Sequence, residues 1–127
     1  MNNMKKSIVN GIWALMLTPY TQENKIDYTA AEALIEWYIE NGIDGVFAVC
    51  QTSEMFWMSA KERYELAKFT INAISGRIGV VVSGNVEDNI GMQIKEAREL
   101  AELSPQAVVF VSNRLECGIG YSTHCNS

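Results

Sequence analysis

Short, continuously apolar runs alternate along this chain with longer stretches in which apolar residues return every three or four positions. The runs are Ile8 to Leu17, Gly45 to Cys50, Ile78 to Val82 and Ala107 to Val111. Unbroken apolar character marks strands buried on both faces, as in a parallel sheet; a half-exposed antiparallel strand alternates instead. The first run ends at Thr18-Pro19, where proline's missing N–H stops a ladder. The others close on small polar residues: Cys50-Gln51-Thr52-Ser53, Ser83-Gly84-Asn85 and Ser112-Asn113.

The stretches between carry helix punctuation. Asp27 or Thr29 can cap the first helix, Thr29 with Glu32 as a capping box, and Asn41-Gly42 is a left-handed stop. That helix is predicted to bury Leu34, Trp37 and Tyr38. The second opens on Ser59-x-x-Glu62 and ends at Ser75-Gly76, with Ala67, Thr70 or Ile71, and Ile74 facing inward. The third runs from about Glu87 to Leu103, with Ile90, Ile94, Ala97 and Ala101 as its apolar stripe, and stops at Ser104-Pro105. The order is therefore β-α-β-α-β-α-β, an α/β architecture with right-handed crossovers. Beyond Leu115 the pattern ceases, so residues 1–115 are expected to form the fold and 116–127 an irregular tail.

Four parallel strands with three crossover helices leave two open edges. One completion is a small doubly wound sheet of flavodoxin or response-regulator type. Phosphoacceptor chemistry would need an acidic pair after strand one and an aspartate after strand three, where this chain has Thr18-Pro19 and Ser83-Gly84. A glycine-rich phosphate turn after strand one is also missing. The other completion is half of an eight-stranded (β/α)8 barrel, which normally takes about 250 residues.

Composition narrows the function classes. With 48% hydrophobic and 20% charged residues in 127, the chain is globular rather than disordered. No apolar run is long enough to span a bilayer, and the N-terminus lacks a signal-peptide pattern. The net charge of −5 and the scattered basic residues argue against a nucleic-acid partner. Three unevenly placed cysteines make no disulfide framework, which favours a reducing cytoplasm. Cys117, His124 and Cys125 do not match a structural zinc site, so no metal is expected.

The loop Cys50-Gln51-Thr52-Ser53-Glu54 stands where α/β enzymes present reactive groups, outside the carboxyl end of a strand. Together with Thr18-Pro19-Tyr20, Lys25-Ile26-Asp27, Trp37 to Gly45, and Glu62 eight positions after Glu54, it resembles the N-terminal half of the dihydrodipicolinate synthase and N-acetylneuraminate lyase family. The resemblance covers about Gly11 to Leu115. It implies a TIM barrel, strands one to four with helices one to three, and class I aldolase chemistry without a cofactor. A lysine on a later strand would form a Schiff base with pyruvate or another small 2-oxo acid. The resemblance further implies that Thr52 helps hold the substrate carboxylate. Gln51 takes the place of a hydroxyl residue that relays protons with a tyrosine, a task an amide cannot perform. Cys50 and Ser53 replace the family's glycines, and Ser112-Asn113 replaces a Pro-Tyr pair, departures that point to a divergent subgroup. An intact parent would be a homo-oligomer.

The lysines are Lys5, Lys6, Lys25, Lys61, Lys68 and Lys95, and none falls at the carboxyl end of a predicted strand. A Schiff-base amine needs a desolvated pocket to lower its pKa. The expectation is thus a truncated member of a pyruvate-dependent lyase/synthase family, inactive alone, with Thr52 and Gln51 as substrate-binding residues and no catalytic residue. The alternative is a non-catalytic half-barrel that binds or assembles through its open edges. Other positions carry two readings. Glu54 bonds loop amides or acts as a base, and Cys50 is a packed thiol or a nucleophile. Met55-Phe56-Trp57-Met58 is loop packing or a subunit contact. Ser83 faces a site, Asn85 does so or caps helix three, and Arg114 is solvated or meets a carboxylate.

Overall fold

Parallel pairing follows from crossover helices that return each strand to the same end of the sheet. The computed structural model describes residues 10–50 and 53–112. Its elements are β1 (Trp13–Leu15), α1 (Tyr28–Glu40), β2 (Gly45–Ala48), a 3₁₀ turn (Met55–Trp57), α2 (Ala60–Ile74), β3 (Gly79–Ser83), α3 (Ile90–Ala101) and β4 (Ala107–Val109). The strands form one sheet in the order β1-β2-β3-β4, all parallel. This is the arrangement expected for the first four strands and three helices of a TIM barrel. No helix among the described residues is long and apolar enough to cross a membrane.

The sheet has two unlike faces. Met16, Val46, Ala48, Val80 and Val82 pack against Ala31 and Ile35 of α1, Leu66, Ala67 and Ile74 of α2 and Leu100 of α3. Each large side chain in that layer contributes about 1.5–3 kcal/mol by leaving water. The opposite face carries Trp13, Leu15, Phe47, Val81, Ser83 and Val109 in register across the strands. No helix covers it among the described residues, and Leu15 remains 51% exposed. The Trp13 ring lies across Gly45 and Gly79, where a Cβ at either glycine would stand 2.4 Å from ring atoms. Glycine is required there by the close approach of the indole.

The helix punctuation is largely as read, with corrections. Asp27, not Thr29, caps α1: its carboxylate accepts the Ala30 N–H at 3.0 Å. The Ser59–Glu62 capping box of α2 is complete, with reciprocal bonds of 2.9 and 3.1 Å. The buried stripe of α1 is Ala31, Ile35 and Tyr38, while Trp37 is 56% exposed. Tyr38 faces inward as expected, its hydroxyl donating to the Leu15 carbonyl at 3.3 Å, and Leu34 packs half-buried against the core, so Trp37 alone of the three is turned outward. On α2, Ala67, Thr70 and Ile74 face inward as expected, joined by Arg63 and Leu66.

α3 departs furthest. It starts at Asn89, whose side chain accepts the Met92 N–H, and its buried residues are Gln93, Glu96 and Leu100. Ile94, expected inside, is 47% exposed, and Ala101 is exposed. The helix turns Glu96 inward because Arg63 is already buried on α2, and an unpaired guanidinium there would cost more than one exposed isoleucine. β1 and β4 are shorter than the apolar runs that contain them. Past Val109, the Asn85 amide replaces ladder partners, donating to the Val111 carbonyl and accepting its N–H, both at 2.9 Å. Asn85 therefore caps the sheet and not α3. Residues 116–127 lie outside the described residues.

Candidate functional site

The carboxyl ends of the four strands open on one side of the sheet, and the connection after β2 folds over them. Val49, immediately after β2, sits at φ +52°, in the left-handed region that a β-branched residue rarely occupies. The Ser83 N–H donates to the Val49 carbonyl at 3.3 Å and helps hold it there. On the far side of positions 51 and 52, the Ser53 N–H donates to the Cys50 carbonyl at 2.9 Å and the Met55 N–H to the same oxygen at 3.2 Å. The flanks of the loop are thus locked together.

Side chains anchor the same segment to β1. The Ser53 hydroxyl donates to the Met16 carbonyl, and Thr18 Oγ1 donates to the Ser53 carbonyl at 2.8 Å. Cys50 is a free, buried thiol with Sγ 3.3 Å from Ser53 Oγ. A serine at 53 thus does what a glycine could not, tying the loop to the end of β1 through a hydroxyl. Glu54 is exposed at φ +65°, and its side chain does not cap the 3₁₀ turn that follows. Its carboxylate and that of Glu62 add to burial, the larger cause, in raising the Tyr20 phenol above its ordinary value. Of the apolar patch, Met55 and Met58 are buried as loop packing, and Phe56 and Trp57 are exposed.

Beneath the loop lies a cavity of about 180 Å³. Leu15, Phe47 and Val109 wall it from the strands, Met55 and Cys50 from the loop, and Ser83 supplies a hydroxyl. At about 30 Å³ per water, this is room for roughly six waters or one small organic molecule. Gln51 and Thr52, the expected substrate-binding residues, lie outside the described residues, as do Arg114, Cys117, His124 and Cys125. Ser83 meets the cavity; Asn85 is occupied by the end of β4. Lys25, Lys61, Lys68 and Lys95 are exposed in a turn and on helices. Among the described residues no cluster of three His, Cys, Asp or Glu side chains could hold a metal ion.

One group that supports the site escaped the sequence reading. Arg63, 3% exposed, donates Nε to Glu96 Oε2 at 2.6 Å, pairs through a terminal nitrogen with Glu87, and bonds the Met58 carbonyl at 2.6 Å and that of Met55 at 3.4 Å. It pins the loop after β2 to α3 and to the segment after β3. The signal was available: position 63 is in helical phase with Leu66, Ala67, Thr70 and Ile74. Burial pushes the Glu96 carboxyl above its ordinary range, against the opposing pull of Arg63.

Known proteins share this arrangement. A 4-hydroxy-tetrahydrodipicolinate synthase of Brachyspira hyodysenteriae is 28% identical over 106 residues, covering 84% of this chain and 36% of that protein. The solved synthase of Methylacidiphilum fumariolicum SolV superposes with a TM-score of 0.74 at 26% identity, over 80% of this chain and 33% of its own. A prophage protein of the dihydrodipicolinic acid synthase family from E. coli, solved in complex with pyruvate, gives 0.74 at 25%, over 79% of this chain and 33% of its own. The chain spans about a third of the length of the relatives it matches. The sheet order, the loop after β2 and a family model matched across residues 8–111 agree: this chain belongs to the dihydrodipicolinate synthetase family.

Proposed function

We propose that this chain forms the N-terminal strands of a barrel that makes or breaks a carbon–carbon bond beside a small 2-oxo acid, and that it supplies the corner that receives the substrate carboxylate. The observation that carries this reading is the cavity at the carboxyl ends of β1–β4 beneath the Cys50–Met55 loop. Its size suits a three-carbon 2-oxo acid. Pyruvate is bound by a family member of known structure, which supports the same ligand class here. In this reading the Thr52 hydroxyl and the Gln51 amide donate to the carboxylate. Gln51 holds a charge without relaying a proton, because its amide does not ionise.

Schiff-base formation requires a desolvated amine in the cavity. The four described lysines are exposed and lie on a turn and helices, positions from which none lines the cavity. In this reading, the chain binds the 2-oxo acid reversibly and the covalent step belongs to a strand-borne lysine of the intact barrel. Borohydride treatment in the presence of pyruvate, followed by intact mass measurement, is expected to leave the mass unchanged. A stable adduct on any of the six lysines would overturn this division of labour.

A second reading is favoured by the bare inner face. Leu15 and Leu17 are about half exposed there, and among the described residues β1 and β4 have no outer strand partner, which suits pairing with another chain. Sedimentation separates the two: a defined dimer with cooperative unfolding supports assembly, and a monomer excludes it.

A further inference from the structure

Ser83 closes β3 on the inner face, opposite Val109 of β4, and lines the cavity with Leu15 and Phe47. It is 1% exposed, and its hydroxyl has no hydrogen-bond partner among the described residues. The neighbouring described polar side chains at this end of the sheet, Thr18, Ser53 and Asn85, are committed elsewhere. Thr18 and Ser53 bond the β1–loop junction, and Asn85 bonds both groups of Val111. A buried hydroxyl without a partner costs about 1–3 kcal/mol, so a strand end that carries one where alanine would fit needs a reason. The surrounding walls are otherwise aliphatic, aromatic or sulfur-bearing; the Cys50 thiol is engaged with Ser53, and a thioether such as that of Met55 is only a weak acceptor.

We propose that Ser83 is a ligand contact: its hydroxyl donates a hydrogen bond to the carbonyl oxygen of a small ketone or 2-oxo acid seated in this cavity. A serine hydroxyl turns about one bond, so an entering guest needs only a χ1 rotation to receive it. One donor in an otherwise apolar sleeve fixes the orientation of a short molecule, leaving its methyl end against Leu15 and Val109. The proposal rests on the reading of the cavity as a 2-oxo acid site, and it adds a contact that is separate from the carboxylate corner at Gln51 and Thr52.

The test uses two probes on the full 127-residue chain, followed by amide chemical shifts in a two-dimensional nitrogen–proton NMR titration. Sodium pyruvate carries both a carboxylate and a ketone; acetone carries the ketone alone. Both are expected to move the amides of Val81, Ser83 and Val109. Ser83→Ala is expected to weaken both by roughly five- to tenfold, the worth of one hydrogen bond, while its thermal midpoint stays equal or rises because no protein partner is lost. Equal pyruvate affinity in the wild type and Ser83→Ala overturns the contact and leaves the 2-oxo acid reading standing. Acetone binding that depends on Ser83, with no response to pyruvate, upholds the contact and overturns the 2-oxo acid reading. No response to either probe overturns both. A lowered midpoint in Ser83→Ala with intact binding shows a structural role and also overturns the contact.

Discussion

Replacing Arg63 with methionine keeps most of the side chain's volume and removes a guanidinium that holds three segments together. The Glu96 carboxylate then loses the Arg63 Nε–H donated to its Oε2, its one charged partner among the described residues. The carbonyls of Met58 and Met55 lose a donor, and Glu87 loses its ion pair. Removing one partner of a buried pair costs about 3–5 kcal/mol, because a charge is stranded in a low-dielectric interior. Glu87 is partly solvated and can turn to water, so the loss is expected near 3 kcal/mol. With a urea slope of about 1.5 kcal/mol per molar, that lowers the unfolding midpoint by about 2 M, read by circular dichroism at neutral pH. The double variant Arg63→Met, Glu96→Leu removes both charges and is expected to recover most of the loss, giving a coupling of about 2 kcal/mol. A single-variant loss below about 1 kcal/mol, or strict additivity in the double variant, would refute the reading of Arg63 as the electrostatic anchor of the loop.

Other expectations follow from the same geometry. Burial raises the Glu96 carboxyl above its ordinary value, so between that value and the folded one the folded state holds the extra proton; stability then falls as pH rises through this window. Glu96→Gln should flatten that slope in pH-resolved denaturation, and an unchanged slope would assign the dependence elsewhere. Gly45→Ala puts a methyl 2.4 Å from the Trp13 ring, so a loss of about 1–3 kcal/mol and a red-shifted Trp13 emission are expected in a Trp37→Phe, Trp57→Phe background. Asn85→Ala strips both groups of Val111 of their partner; hydrogen exchange should show the Val111 amide losing protection, with about 2 kcal/mol of stability lost.

The strands were legible because both faces of the sheet carry apolar side chains, which leaves continuous apolar runs, and the helix ends because Asp27, Ser59 and Gly42 carry their own local chemistry. Helix rotation was legible on α2 but not on α3. Apolar spacing on α3 pointed to Ile94, but facing is decided by what lies across the interface, and there Arg63 demands a carboxylate. The candidate site was half legible. The loop's place after β2 could be read directly, whereas the roles of Ser53 and Ser83 depend on which of two identical hydroxyls finds a partner. That is a property of the folded arrangement: Ser53 meets the Met16 carbonyl, and Ser83 meets no partner among the described residues.

Because each strand pairs with the strand next to it in sequence, the spatial order of the sheet repeats the order of synthesis. A chain leaving the ribosome can therefore complete β1-α1-β2 before β3 exists, and each finished unit offers the next one a hydrogen-bonding template. No later segment has to thread between earlier ones. Growth by addition at the β4 edge makes the architecture extensible: further strand–helix units can be laid down there without rearranging what has already formed, and the interior deepens as they arrive.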